Sequence, residues 1–367
     1  MDASPIFRSV KGGIGYYILN VLKHLAQIDH ESEYVLYNTT GAKEGIPFPH
    51  QGNFRIVNTW RFTMNWHAEK DRIDVFHGPN YRLPARGRHG SVVTIYDLSV
   101  ARMPQLFRKM IGRRRDFLKS KRIAKSADKI ITTSEHSARD IKELYGIPRD
   151  KITVIYCGLS NEFYPETDPT LIQKIRQQYG LRDKNYLLFV GGADPRKNLI
   201  TLLKAYALIK KIHSDYYLVI TSGLDRDVKG LIELTKSLDI DKNVIFTGYV
   251  SQDALRVLYC QATLFVLPSL YEGFGMPILE AMACGTPVVA SNTSCIQEVA
   301  GDAAVLVEPT DVNTLAASIR RILKDRETRE SMWSKGFVRA KLFSWEKAAR
   351  ETLQVYKDTA VLNERIV

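Results

Sequence analysis

Cysteine is scarce. The four in 367 residues, Cys157, Cys260, Cys284 and Cys295, show no C-x-x-C spacing and lie mostly in apolar segments. That pattern fits reduced core thiols and argues against a disulfide framework or a zinc site. No run of 18 or more apolar residues occurs, so no membrane-spanning helix is expected. The opening "MDASPIFRSVKGG" lacks the charged-then-apolar order of a secretory leader, and the expectation is a cytoplasmic chain. Short-period repeats and low-complexity tracts are also absent. So is a D-x-D at a strand end or a His/Asp cluster with ligand spacing, and no obligatory metal is expected. The formal match "DRD" at 225–227 opens a helix, where capping is the simpler role.

What is present is an ordinary globular balance, 45% hydrophobic and 25% charged, in a length that suggests two domains. The formal net charge of +12 calls for an anionic partner: phosphate, nucleic acid or an anionic membrane. The excess is concentrated between Arg108 and Lys129, with ten basic residues against Asp116 and Asp128. Phe107, Met110, Ile111, Phe117, Leu118 and Ile123 recur there at near-helical spacing. A basic amphipathic helix follows, either resting on anionic headgroups or covering the core with its apolar face. Nucleic acid is not expected, because the aromatics fall in strands and helices rather than among exposed basic residues.

Short β-rich runs alternate with helical patterns throughout, the signature of parallel α/β sheets. "EYVLY", "NFRIV", "IDVFHG", "SVVTIYD", "DKIITTS" and "KITVIY" read as strands of a first sheet. "NYLLFVGG", "YYLVITSG", "NVIFTG", "ATLFVLPS", "TPVVAS" and "AAVLVEP" read as those of a second. The punctuation of "CGLSNEFYPETDPT" places a linker near residues 157–170. The domains expected are 1–165 and 166–343, followed by a helix over 344–367 capped near Ser344. Before the glycines of "KGGIGYY" stands only "MDAS", so the usual first strand is missing or reduced to a remnant; either the start is internal to a longer reading frame or this sheet edge differs.

Three constellations carry chemistry. In "GGIGYY", Gly12, Gly13 and Gly15 open a helix, which suits either an approaching anion or a tight turn with positive φ. Ile18 stands where a dinucleotide fingerprint needs a small residue, and Asn38 where it needs an acid, which argues against an NAD enzyme. In "VGGADPRKNL", Arg196 and Lys197 follow a strand at the edge where such sheets bind ligands, and could neutralise a diphosphate. In "SLYEGFGMPILEAMACGTPVVAS", Glu272 falls on a loop and Glu280, eight positions on, in a helix whose first turn suits Pro277 and whose end suits Gly285. Capping explains Glu280 well and Glu272 poorly. Carboxylates accept from hydroxyl pairs, so two of them beside two cations describe a site for a diphosphate flanked by polyols, which is a nucleotide sugar.

"RKN", "YEGFGMPILEAMACGTPVVAS", "QEVAGDAAVLVEP" and "FSWEKAA", in this order and spacing, resemble the family 4 retaining glycosyltransferases, strongly over residues 186–350 and more loosely before them. The resemblance implies the GT-B fold: two Rossmann-like, doubly wound domains facing a cleft, with the last helix crossing back to the N-terminal domain. It implies that Arg196 and Lys197 bind the donor diphosphate, that Glu280 holds the ribose and that Glu272 faces the transferred sugar. Backbone N–H groups around Phe274, Gly275 and Met276 would lie next to sugar and phosphate, and Gly13 and Gly15 would close over the phosphates. His77 in "DVFHGPN" resembles a histidine that contacts the donor sugar; Asp97 in "TIYDL" is the acceptor-side candidate, although Tyr96 departs from the frequent His-Asp pair.

The resemblance also implies front-face departure, with the leaving phosphate receiving the acceptor's proton; with no metal signature in the sequence, no obligatory metal or cofactor is expected. The best donor on these grounds is GDP-mannose, with UDP-hexoses open, and the acceptor a glycan or lipid-linked saccharide in cell-surface polysaccharide synthesis. Peripheral contact with the inner membrane face would give the basic stretch a use. A sugar-nucleotide epimerase shares the architecture but needs no acceptor. A phosphorylase would need a pyridoxal-bearing lysine that nothing marks, and a non-catalytic nucleotide-binding protein is the remaining alternative.

Overall fold

The computed structural model describes residues 1–8, 12–41, 45, 47–50, 52–84, 87–107, 113–221 and 228–364. Arg108, Lys109, Met110, Ile111 and the match at 225–227 lie outside them, as do the side chains of residues 113–116. The chain divides into two compact units, Met1–Gly158 with Ser344–Val367, and Leu159–Phe343. The division falls seven residues before the expected 165/166 boundary, inside the expected linker.

In the first unit β1 (Tyr34–Asn38) pairs in parallel with β2 (Phe54–Asn58). A second parallel set runs in the order β3 (Val75–Gly78), β4 (Gly90–Thr94), β5 (Lys129–Thr132) and β6 (Ile152–Val154). Residues 1–3 join the two sets. The Met1 nitrogen donates to Val35 O and Ala3 N to Tyr37 O on one side, while Asp2 N donates to His77 O on the other. The first strand is therefore the remnant allowed for above, three residues in the slot between β1 and β3.

The helix Gly13–Ile28 buries Tyr17, Ile18, Val21, Leu22 and Leu25. Against it packs the last helix, Trp345–Glu364, with Trp345 edge-on to Tyr16 and Tyr17 at 6.2 and 5.7 Å. Ser344 caps that helix, its Oγ accepting from Lys347 N at 3.0 Å. Gly158 lies so close beneath that a Cβ there would come within 2.0 Å of Trp345 N. In the helix Arg113–Ser126, Phe117, Ile123 and Ala124 pack on the core that β4 and β5 build, while Leu118 stays exposed.

The second unit is one parallel sheet of six strands: β7 (Asn185–Val190), β8 (Tyr216–Thr221), β9 (Val244–Phe246), β10 (Leu264–Leu267), β11 (Val288–Ser291) and β12 (Ala304–Val307). Its order is β12-β11-β10-β7-β8-β9. β10 and β11 are buried at every position, as expected for parallel strands covered on both faces. All twelve strands read from the sequence are present, with ends within three residues of those expected. The order reverses between β7 and β10, and at such a switch point the loops leaving the two strands diverge and open a crevice at their carboxyl ends.

Candidate active site

Arg196 and Lys197 lie on the loop leaving β7, and Glu272 on the loop leaving β10, so the switch point of the second unit brings them together. Lys197 Nζ donates to Glu272 Oε1 at 2.7 Å, with side-chain exposures of 17% and 10%. Ser269 Oγ donates to the same oxygen at 2.6 Å. Backbone contacts fix the carboxylate further: Glu272 N donates to Ser294 Oγ at 3.0 Å and the Cys295 thiol to Glu272 O at 3.1 Å. Arg196 folds onto Asp194, giving Nε and Nη2 to Oδ2 at 3.1 and 2.9 Å. Burial alone would raise the Asp194 carboxyl, but the Arg196 bonds outweigh it and hold the group below its usual range. The two cations thus enter the site already paired with carboxylates, held in place rather than swinging in solvent.

Glu280 lies on the helix Met276–Ala283. It is partly buried, and Tyr259 Oη donates to its Oε2 at 2.9 Å. Burial pushes its pKa up to about 7 against the opposing pull of Tyr259 and Lys197, so the carboxyl is poised between its two forms at neutral pH. Gly275 precedes the helix with φ 96° and ψ 41°, a left-handed conformation that favours glycine. Met276 follows as the first helical residue, where a backbone N–H has no partner within the helix and favours an anion; Pro277, next, has no N–H to give. The Phe274 ring is core, packed edge-on against Phe343 at 5.8 Å.

His77 is 2% exposed, its Nδ1 bonded to Tyr356 Oη at 2.6 Å and its Nε2 to Thr94 Oγ1 at 2.7 Å. Burial lowers its pKa to about 3, so it is neutral. Both ring nitrogens are used inside the unit, where His77 fastens the last helix to the sheet. Asp97 accepts from Ser99 N through Oδ1 at 2.9 Å, an Asx contact at the start of the helix Ser99–Arg102. Gly13 and Gly15 begin the first helix without positive φ, so the tight-turn reading fails for them. At Gly12 and Gly13 a Cβ would meet nothing within 4 Å among the described residues.

The motifs do not mark Ser269, Tyr259, Ser294 or Asn198, whose Nδ2 donates to Pro268 O and Pro309 O. Ser269 and Asn198 lay inside segments singled out for their charges. Tyr259 sits in the helix Gln252–Gln261 with no spacing that points to Glu280. Among the described residues, no group of three or more His, Cys, Asp or Glu could hold a metal ion, and no helix is long and apolar enough to cross a membrane.

Known families match both halves: Glycosyltransferase Family 4 over residues 11–163 and Glycosyl transferases group 1 over residues 172–338. O-antigen chain mannosyltransferase B of Escherichia coli is 33% identical over 370 residues, covering 94% of this chain and 96% of that one. O-antigen chain mannosyltransferase RfbU of Salmonella typhimurium is 31% identical over 63% of this chain and 60% of its own length. In fold, sucrose-phosphate synthase from Thermosynechococcus elongatus matches with a TM-score of 0.78 at 24% identity, over 98% of this chain and 97% of that one. HepE of Anabaena, in complex with UDP and glucose, matches with 0.76 at 18% identity, over 95% and 97%. With its two halves matched in order and one relative aligned along nearly its whole length, this chain belongs to the family 4 glycosyltransferases, of the GT-B fold.

Proposed function

We propose that the chain is a retaining mannosyltransferase, moving mannose from GDP-mannose to a glycan or lipid-linked saccharide in cell-surface polysaccharide synthesis. The observation that carries this reading is the near full-length likeness to the E. coli O-antigen chain mannosyltransferase, and the geometry of the second unit is consistent with it. In this reading Glu280 accepts the ribose hydroxyls and Glu272 faces the sugar. Lys197 and Arg196 meet the diphosphate, as does the backbone N–H of Met276 at the start of the helix Met276–Ala283.

The bond between the sugar C1 and the diphosphate oxygen breaks as the acceptor oxygen bonds C1 on the same face. The acceptor's proton passes to the departing phosphate oxygen, and nucleoside diphosphate leaves. The protein's part is electrostatic: the cations meet the charge growing on the leaving group, and the carboxylates hold the sugar and ribose in register. Because Lys197 and Arg196 supply that charge compensation, turnover is expected to survive EDTA.

Isothermal titration with GDP, UDP, GDP-mannose and UDP-glucose tests the donor, and NMR of the product's anomeric configuration tests retention. GDP-mannose binding that weakens in Glu280→Ala supports the proposal; preference for UDP-glucose replaces the donor, and an inverted product removes the mechanism. The proposal includes contact of residues 108–129 with an anionic membrane. Neutralising Arg113, Arg114 and Arg115 together should then release the protein from anionic vesicles, and unchanged binding would end that part of it.

A further inference from the structure

One side chain holds together the loops that meet at the switch point of the second unit. Asn198, next to Lys197, adopts the left-handed conformation with φ 56° and ψ 39°, which asparagine tolerates better than most residues. Its Nδ2 donates to Pro268 O at 3.1 Å and to Pro309 O at 2.6 Å, and its Oδ1 accepts from Thr201 Oγ1 at 2.8 Å. Both amide protons therefore go to carbonyls of other loops, one leaving β10 and one leaving β12.

The β10 loop is tied from several directions. Leu270 N donates to Arg196 O at 2.7 Å. From the β11 side, Ser291 Oγ and Thr293 Oγ1 donate to Ser269 O at 2.5 and 3.1 Å. The Lys197–Glu272 contact joins the two loops so pinned. Glycine could reach the backbone conformation of residue 198 but has no amide to give. Aspartate has the right shape but would turn an acceptor oxygen toward two carbonyls.

We infer that Asn198 is a positioning residue that sets this chain's preference for a nucleoside diphosphate over the monophosphate, by holding the β10 loop, and so Glu272, in place against Lys197. The inference rests on the donor reading above, in which Lys197 meets the diphosphate and Glu280 the ribose. A monophosphate keeps the ribose but lacks the distal phosphate, so the ratio of the two affinities reports how well Lys197 is placed.

The test is calorimetric titration of wild type, Asn198→Gly and Asn198→Asp with GDP and GMP, and in parallel with UDP and UMP, alongside thermal unfolding. In both variants diphosphate affinity should fall about tenfold while monophosphate affinity stays within about twofold. A merely structural role would lower the melting temperature and leave the ratio at its wild-type value, which overturns the inference. If wild type itself binds diphosphate no better than monophosphate, the role of Lys197 fails first and the inference falls with it. Should both variants fail to fold, Thr201→Val removes only the partner of the amide oxygen. It should shift the same ratio less but in the same direction, and an unchanged ratio overturns the inference.

Discussion

Glu280 is where burial and ligand chemistry pull against each other. Folding raises its pKa from the ordinary carboxyl value to about 7, so between about 4.5 and 7 the folded state holds a proton that the unfolded state has released. Its contribution to stability therefore falls as pH rises through that window, and Glu280→Gln should be more stable than wild type at pH 8 by thermal unfolding. A ribose diol donates to the ionised form, so GDP affinity should rise roughly tenfold from pH 6 to 8 with proton release, and Glu280→Gln should flatten the profile in calorimetry. Lys197→Ala leaves Glu272 nearly buried without its counter-ion. Stability should drop by about 2 kcal/mol in chemical denaturation and turnover by about a hundredfold. His77→Ala, which removes a fastening inside the first unit, should lower stability and leave GDP affinity unchanged. Arg196, Lys197, Glu272 and Glu280 could be singled out as candidates because they stand after strands or in the first turns of a helix, in recognisable order. The contacts of His77 were not legible, because strand-end position says nothing of what caps the sheet from afar. Tyr356, its partner, comes from a helix 279 residues later in the chain.

The helix Met276–Ala283 shows what an element owes to its ends. Gly275 opens it in the left-handed region, Cys284 closes it, and Gly285 follows with φ +81°. A Cβ at Gly285 would also come within 2.4 Å of Trp333 Nε1. Gly285→Ala should therefore cost about 2 kcal/mol, from backbone strain and the clash together. Adding Trp333→Ala should recover only the clash, so a double-mutant cycle by chemical denaturation separates the two contributions. Glycine and proline made this helix legible before its structure was known, as alternating apolar runs did for the strands. The first strand was legible only as a gap. Three residues are too few for a pattern of period two, and their place comes from the backbone groups of Tyr37 and His77 on either side. The basic helix was half-legible: periodicity gave the apolar face, but only packing against Tyr145 and the β4–β5 core says where that face is used.

At the scale of the whole molecule, two units with separate cores should unfold as more than one calorimetric transition. GDP, if held by the second unit, should raise that unit's transition far more than the other's, which a scan with and without nucleotide will show. Two domains were expected from length and from the two strand series. The seat of the last helix was not readable from periodicity, since an amphipathic helix does not name the surface it covers; only the family resemblance pointed back to the first unit. The path of the chain has a practical outcome. It leaves the first unit at Gly158 and returns at Ser344, while within the second unit Leu159 N donates to Phe343 O at 3.0 Å, so the two ends of the excursion meet. The second unit is thus a cassette with a single closed neck. Swapping residues 159–343 for the matching stretch of a relative needs only two neighbouring splice points, a route to chimeras that test donor choice apart from acceptor choice.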